Sequence, residues 1–186
     1  AGEEPELTRF RLEDGTYVAD KDGRFTTICS NSDGEIVVLR LPNGDYRLVE
    51  TMAPSGYVLD PTPRDFALDG KSSVKVENRQ TEVTLEKADL ATGEPVAGAV
   101  IQIFDEKGVR VREVTTDENG QTKISGLPAG TYSFKELFAP DGYVLNEESF
   151  TFTIDELGDV SGVTEFTNEP TKVSIYKVDA NQPDKK

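Results

Sequence analysis

The sequence predicts an all-β protein built from tandem antiparallel β-sandwich modules. Three features predict this fold class: short runs of alternating apolar and polar residues, turn dipeptides between the runs, and an internal repeat. Alternation with a period of two is typical of strands that bury one face. No stretch sustains the 3.6-residue period of an amphipathic helix. Short strands recurring at this spacing indicate sandwiches of about 90 residues each.

The turns and strand runs alternate along the chain. The turn signals are the dipeptides Asn43-Gly44, Asn119-Gly120, Asp33-Gly34 and Asp141-Gly142. Asn, Asp and Gly are favoured there because they tolerate the positive φ angles of tight turns. Between such turns lie VTLEK, VIQIF, TYSFKE and SFTFTI, each with apolar residues at alternate positions. These runs are the predicted strands.

An internal repeat divides the chain. Residues 32–60 (SDGEIVVLRLPNGDYRLVETMAPSGYVLD) match residues 118–146 (ENGQTKISGLPAGTYSFKELFAPDGYVLN), with corresponding residues 86 positions apart. Residues 78–89 match residues 168–179 at a spacing of 90 positions, which indicates a loop of different length between the two matching parts. Self-similarity of this length indicates tandem structural units.

The repeat predicts three segments. Residues 1–79 form a first repeat without its opening strand, residues 80–168 form a complete second repeat, and residues 169–186 restart the opening strand of a third repeat or form a tail. The chain is therefore expected to be a piece of a longer tandem array. No Gly/Ser-rich linker separates the repeats, so we expect a stiff junction.

Composition excludes several classes of function. A net charge of −15 argues against a nucleic-acid partner, and no apolar run is long enough for membrane insertion. The chain has no histidine and one cysteine, Cys29, so it has no intrachain disulfide and no Cys/His metal cluster. Cys29 lies in RFTTICS and is interpreted as a small packed residue. Acidic turns such as DEKG and TDENG lack the EF-hand spacing, so neither a metal nor another cofactor is expected.

Three apolar strand faces each carry one polar residue. Strand parity places Lys87, Glu136 and Asn168 on the same faces as their apolar neighbours, which are Val83 and Leu85, Tyr132 and Phe134, and Phe166, respectively. If these faces form one core, the three polar side chains meet inside it.

Burial of a lysine, a glutamate and an asparagine together favours a reaction between the lysine amine and the asparagine amide. Desolvation favours the neutral forms of Lys87 and Glu136, and a neutral lysine amine is a nucleophile towards the side-chain amide carbon of Asn168. A protonated Glu136 can carry protons to the leaving group. The product is a Lys87–Asn168 isopeptide bond, formed once with loss of ammonia. Two other arrangements stay open: polar residues at solvated strand ends, or a buried Lys87–Glu136 ion pair with Asn168 as its hydrogen-bond partner.

On these residues the chain resembles the collagen-adhesin B-type (Cna-B, prealbumin-like) repeat of Gram-positive surface proteins and pilins. The matching features are VTLEKAD, GLPAGTYSFKELFAPDGYVL and FTNEP, and they cover nearly all of the second repeat. The resemblance implies an intramolecular isopeptide bond between Lys87 and Asn168, assisted by Glu136. It also implies an extracellular location at the cell wall.

The first repeat departs from the family pattern. Glu50 and Asn78 match the family positions, but the strand that would carry the lysine is absent. If LTRFRL were the opening strand, Arg11 would stand at that position, and a guanidinium is too basic to be a nucleophile. Lys21 lies in the polar run ADKDGR, a predicted loop. We therefore expect no internal bond in the first repeat.

The end of the chain carries a lysine of its own. Val173, Ile175 and Lys177 share one face of the run KVSIYK, in the pattern of an opening strand. Residues 171–178 could therefore be donated as a strand to the first repeat of another molecule, with Lys177 meeting the unpaired Glu50 and Asn78. An untethered tail is the other interpretation.

The favoured function is a structural stalk or spacer of a cell-wall-anchored adhesin or pilus protein, with neighbouring repeats as its partners. A bond between first and last strands resists extension as a disulfide does, without needing oxidising conditions. The chain is not expected to be an enzyme, since the bond forms once without turnover. The alternative is a module that binds a host extracellular protein or glycan through the longer first-repeat insert GTYVADKDGRFTTICSNSDG (residues 15–34).

Overall fold

The computed structural model describes residues 6–177, which contain thirteen β-strands and no helix. The strands are β1 (Phe10–Glu13), β2 (Thr16–Ala19), β3 (Val38–Leu39), β4 (Gly44–Leu48), β5 (Arg64–Leu68), β6 (Glu82–Asp89), β7 (Val100–Phe104), β8 (Arg110–Thr115), β9 (Gln121–Ser125), β10 (Gly130–Phe138), β11 (Ser149–Ile154), β12 (Val160–Gly162) and β13 (Glu165–Asn168). The predicted all-β class is confirmed. Over the same range, no helix could cross a bilayer.

The chain separates into two compact units whose limits differ from those of the sequence repeats. The first compact unit contains the residues up to 49 together with residues 63–75, and the second contains residues 50–62 and the residues from 76 onwards. The stretch 50–62, which belongs to the first repeat in sequence, therefore packs with the second compact unit.

The second compact unit is a two-sheet sandwich. One sheet has five strands in the order β12-β11-β10-β7-β8, and the other has three in the order β13-β6-β9. Alternate residues of both sheets fill one apolar core, formed by Val83, Leu85, Ile101, Ile103, Ile124, Leu127, Tyr132, Phe134, Phe152, Ile154 and Phe166. The period-two pattern thus places its apolar residues between the sheets.

One pairing in this sandwich is parallel. β13 runs parallel to β6, with Phe166 opposite Lys87 and Asn168 opposite Asp89, whereas the other pairings of these two sheets are antiparallel. A parallel pair cannot be joined by a tight turn and needs a long crossover. Here the intervening strands supply it, so the first and last strands of the second repeat become neighbours.

The first compact unit contains two small sheets. β1, β2 and β3 form one, in which β1–β2 is antiparallel and β2–β3 is parallel, and β4–β5 form a separate antiparallel hairpin. The insert returns onto β1, since the backbone N–H groups of Phe10 and Phe25 each donate to the carbonyl of the other, at 2.8 and 3.0 Å. Gly23 permits this close approach, because a Cβ atom there would lie 2.4 Å from the Phe10 backbone.

Cys29 is exposed, so the interpretation of this cysteine as a packed residue is wrong. Residues 27–31 belong to no strand, so Cys29 does not lie on a buried strand face. The loop is instead fastened by the Cys29 backbone N–H, which donates to the Tyr17 hydroxyl at 3.1 Å.

Candidate functional site

The structure brings Lys87, Glu136 and Asn168 together inside the second compact unit. They lie on β6, β10 and β13, respectively, and their exposed fractions are 1%, 5% and 1%. Each follows the buried parity of its strand, as the alternation indicates. The solvated strand-end arrangement is therefore wrong for all three side chains.

The lysine backbone is held on both sides. The Lys87 N–H donates to the Gly120 carbonyl at 2.7 Å, and the Lys87 carbonyl accepts from Val96 N–H at 2.9 Å. Gly120 has a φ of +69°, and a Cβ atom there would lie 2.3 Å from the Lys87 carbonyl oxygen. Glycine is therefore required at this turn both for its conformation and for its lack of a side chain.

Glu136 lies between the lysine and the asparagine. Its Oε1 is 3.6 Å from Lys87 Nζ, and its Oε2 accepts a hydrogen bond from Asn168 Nδ2 at 2.8 Å. The backbone N–H of Asn146 donates to the same Oε2, also at 2.8 Å. Asn168 Nδ2 has a second acceptor in the Val144 carbonyl. One carboxylate oxygen thus faces the amine and the other faces the amide nitrogen.

Three buried polar atoms of this cluster lack hydrogen-bond partners among the described residues: Lys87 Nζ, Glu136 Oε1 and Asn168 Oδ1. A buried donor or acceptor without a partner costs about 1–3 kcal/mol. The hydrogen bonding of this cluster is therefore incomplete. Its unpartnered atoms include the amine and the amide oxygen that an isopeptide reaction would involve.

Burial lowers the pKa of Lys87 to about 8, although the nearby Glu136 carboxylate opposes the shift. Nζ also lies 3.7 Å from the centre of the Phe166 ring, a contact that favours the charged amine. Desolvation outweighs both effects, so the amine loses its proton more readily than an exposed lysine, and about a tenth of it is neutral at pH 7. The neutral amine is the nucleophilic form.

A loop that the sequence analysis did not assign to the site closes over it. Besides the backbone contacts of Val144 and Asn146, the Asn146 side chain donates to the Thr167 carbonyl at 2.9 Å. The Tyr143 hydroxyl donates to Asp89 Oδ2 at 3.0 Å. The shared A-P-x-G-Y-V-L-[DN] motif of the two repeats was the available signal for these residues.

The first repeat contains a related pair of one glutamate and one asparagine. Glu50 Oε1 accepts from Asn78 Nδ2 at 2.7 Å, and Glu50 Oε2 accepts from the Asp60 backbone N–H at 2.9 Å. All three residues belong to the second compact unit.

The other basic residues considered lie elsewhere. Arg11 is on β1 and pairs with Glu13 and Asp20, each at 2.7 Å. Lys21 is exposed in a turn, and Lys177 is exposed outside any strand. The last residue of the proposed donor segment, Val178, lies outside the described residues.

The described part of the chain contains no group of three or more Cys, Asp or Glu residues arranged to hold a metal ion.

Comparison with known proteins gives a family match over both repeats. The model of the SpaA prealbumin-like fold domain matches residues 6–80 and 81–170. The chain is 30% identical over 101 residues to the trypsin-resistant surface T6 protein of Streptococcus pyogenes serotype M6, covering 54% of this chain and 18% of that protein. It is 28% identical over 142 residues to serine-aspartate repeat-containing protein D of Staphylococcus aureus, covering 61% of this chain and 10% of that protein. The chain thus spans less than a fifth of either relative.

Among solved structures, the Bacillus anthracis TIE protein is similar at 35% identity and a TM-score of 0.48, over 70% of this chain and 26% of that chain.

Proposed function

This chain belongs to the SpaA prealbumin-like fold domain family, and from that premise we propose that it is a stalk module strengthened by a Lys87–Asn168 isopeptide bond. Similarity to a streptococcal surface protein and a staphylococcal serine-aspartate repeat protein supports a surface pilus or adhesin module. The proposal includes the cell-wall location, neighbouring repeats as partners, and the partition into residues 1–79, 80–168 and 169–186. The observation that carries it is the dry contact of Lys87, Glu136 and Asn168.

The reaction follows from the positions of the two carboxylate oxygens. The neutral Nζ of Lys87 attacks Cγ of Asn168, and a C–N bond forms. Glu136 accepts a proton from Nζ and delivers one to Nδ2, with which its Oε2 is already in hydrogen-bond contact. The Cγ–Nδ2 bond then breaks and ammonia leaves. Water is excluded, and folding supplies the proximity, an effect worth roughly 7–11 kcal/mol of barrier.

The mechanical consequence follows from the topology. β6 and β13 are adjacent and parallel, so a bond between their side chains closes the chain from residue 87 to residue 168 into a loop. A force applied between the two ends of the second repeat then passes through the bond, and the loop of residues 87–168 bears no load. At about 3.4 Å per extended residue, the bond withholds about 280 Å of chain from extension. The bond forms once per molecule, so the chain is not proposed as an enzyme.

The alternative is a module that binds a host protein or glycan through the insert at residues 15–34. A binding surface is expected to present exposed aromatic or apolar residues. The exposed large apolar residues of the described chain all lie outside this insert. Within it, Phe25 is half-buried and makes an edge-on ring contact with Tyr17. The polar surface of the insert therefore favours the stalk function.

Intact-mass spectrometry of the folded chain tests the proposal. We expect the parent to be lighter than its sequence mass by one ammonia, and Lys87→Ala and Glu136→Ala to retain the full mass. Lys123→Ala is the matched control, because Lys123 is a strand lysine whose side chain is 65% exposed, and it should still lose the ammonia. A folded parent at full sequence mass would overturn the isopeptide bond.

A further inference from the structure

We propose that the second repeat carries a dedicated surface that recognises the A-P-x-G-Y-V-L loop of the repeat before it and so fastens the two repeats together. The loop, residues 53–59, is called the junction loop. The junction surface consists of Thr81, Gly126 and the turn at residues 155–158. The inference rests on the tandem-repeat part of the proposed function and is independent of the isopeptide bond.

The junction loop and the junction surface belong to different repeats. The family model assigns residues 6–80 to one domain and residues 81–170 to the next. Both the loop and the surface nevertheless lie in the second compact unit. The loop of one repeat therefore packs into the sandwich of the repeat that follows it.

Backbone hydrogen bonds hold the junction loop at two places. The Gly56 carbonyl accepts from the Thr81 N–H at 3.0 Å and from the Thr81 hydroxyl at 3.3 Å. The Leu59 N–H donates to the Glu156 carbonyl at 2.8 Å. Glu156 lies in the turn between β11 and β12, far along the chain from the loop. The loop is therefore bound to the body of the second repeat as well as to the segment that connects the repeats.

Two glycines permit the close approach of loop and surface. A Cβ atom at Gly56 would lie 2.5 Å from the Gly126 carbonyl oxygen, and one at Gly158 would lie 2.6 Å from a Cγ atom of Val58. Real Cβ atoms essentially never come this close to their neighbours, so both positions must lack a side chain. Val58 and Thr81 are 9% and 1% exposed. The contact is thus closely packed and buried.

A second turn of the same sequence shows what the contact adds. Asp155–Gly158 and Asp105–Gly108 both read D-E-x-G. In each, the glycine N–H donates to the aspartate carbonyl, at 3.0 and 2.9 Å, and the aspartate Oδ1 accepts from the N–H after the glycine at 2.8 Å. The glycine φ angles are +80° and +75°, but a Cβ atom at Gly108 would meet nothing within 4 Å. The close contact at Gly158 therefore comes from Val58 of the junction loop and not from the turn itself.

Part of this arrangement recurs at the end of the second repeat. The Gly142 carbonyl accepts from the Thr171 N–H at 2.8 Å and from the Thr171 hydroxyl at 3.2 Å, as the Gly56 carbonyl does from Thr81. The threonines end the related segments NRQT and NEPT. The repeated sequence therefore specifies a loop whose glycine carbonyl binds the threonine that follows its own repeat.

Hydrogen exchange measured by NMR on the full chain tests the proposal. The Leu59 amide is the probe, because it donates to the junction surface and exchanges only when that contact opens. Gly158→Ala should raise its exchange rate at least tenfold, since the added methyl group displaces Val58. Gly108→Ala is the matched control, with similar backbone strain in the same turn sequence, and should change the rate less than twofold. Equal rates in the two variants would overturn the proposal.

Val58→Asp tests the same contact from the loop side and leaves the sequence of the second repeat unchanged. A carboxylate is not tolerated at a position that is 9% exposed, so the loop should leave the surface and the Leu59 amide should again exchange at least tenfold faster. The amides of β10 should stay protected. Loss of their protection in Val58→Asp would overturn the proposal, because the loop would then be part of the core of the second repeat and not a docked partner.

Intact mass of the same samples separates this inference from the proposed bond. The junction contacts involve none of Lys87, Glu136 and Asn168, so all three variants should lose one ammonia as the parent does. If every sample kept its full sequence mass while the Leu59 amide responded as expected, the isopeptide bond would be wrong and the junction surface would be supported.

Discussion

Two hairpins with the same register have very different burial. In β4–β5, Tyr46 pairs with Phe66, and in β10–β11, Tyr132 pairs with Phe152. The rings stack in both, with centres 5.7 and 5.4 Å apart. Each tyrosine hydroxyl also donates to the carbonyl of the proline four residues earlier, at 2.7 and 2.8 Å. The repeated local sequence therefore builds the same hairpin twice.

Burial separates the two hairpins. Tyr132 and Phe152 are 6% and 1% exposed, whereas Tyr46 and Phe66 are both half-buried. The core of the second compact unit also contains Val83 and Leu85 of β6 and Phe166 of β13. The comparison teaches that turns and cross-strand pairs determine the hairpin, whereas burial of its rings depends on the strands packed against it, which in the second compact unit include the lysine-carrying strand β6.

The largest difference in stability is expected between substitutions of the two glutamates, Glu136 and Glu50. Glu136→Ala should destabilise the second compact unit by about 4–5 kcal/mol, because a closed loop of this length removes about that much unfolded-chain entropy. The equivalent Glu50→Ala loses only the hydrogen bonds of a half-buried carboxylate, about 1–2 kcal/mol. Chemical denaturation of both variants measures the difference. Equal losses of stability would mean that Glu136 has no role beyond its hydrogen bonds.

The next prediction compares the loss of stability on substituting Gly34 and Gly120, the equivalent turn glycines of the two repeats. Gly34 and Gly120 both have positive φ angles, +78° and +69°, but a Cβ atom would meet nothing within 4 Å at Gly34 and the Lys87 carbonyl at 2.3 Å at Gly120. Gly34→Ala should cost about 1–2 kcal/mol from backbone strain. Gly120→Ala adds a steric conflict beside the reactive lysine and should cost about 3–4 kcal/mol.

Thermal unfolding and intact mass measure the effect of these substitutions. Gly120→Ala should also leave a larger fraction of freshly produced chains at full sequence mass, whereas Gly34→Ala should lose the ammonia as the parent does. A similar small effect of both substitutions on stability and mass would show that the Lys87 backbone tolerates displacement.

Gly34 and Gly120 also show which features of the site could be predicted from the sequence and which could not. Both glycines belong to the same [DN]-G turn motif, and only the fold reveals that one of them touches the Lys87 backbone. Parity predicted the buried faces of Lys87, Glu136 and Asn168, because period-two alternation is local. The parallel β6–β13 pair was not predicted, since it joins residues about 80 positions apart and has no local signal. The exposure of Cys29 was missed because the prediction rested on the general tendency of free cysteines to be buried.

The two asparagines are expected to differ in the pH dependence of stability. Asn168→Ala blocks the proposed bond and leaves Lys87 as a buried free amine, with its pKa lowered to about 8 from its ordinary value of 10.5. Below about pH 8 the lysine is protonated in both states, and the folded state bears the full penalty of a buried charge. Between about pH 8 and 10.5 the unfolded chain binds more protons than the folded one, so stability rises with pH.

The rise should approach about 3 kcal/mol, since one unit of pKa difference corresponds to about 1.4 kcal/mol. Asn78→Ala is the matched control, because its Lys87 amine is already consumed in the proposed bond and cannot titrate. Urea unfolding at several pH values measures the difference between the two variants. If stability fell with pH in Asn168→Ala relative to Asn78→Ala, Lys87 would be better stabilised as a cation in the fold than in water. The buried amine would then be the positive half of an ion pair, and the nucleophilic role proposed for it would be wrong.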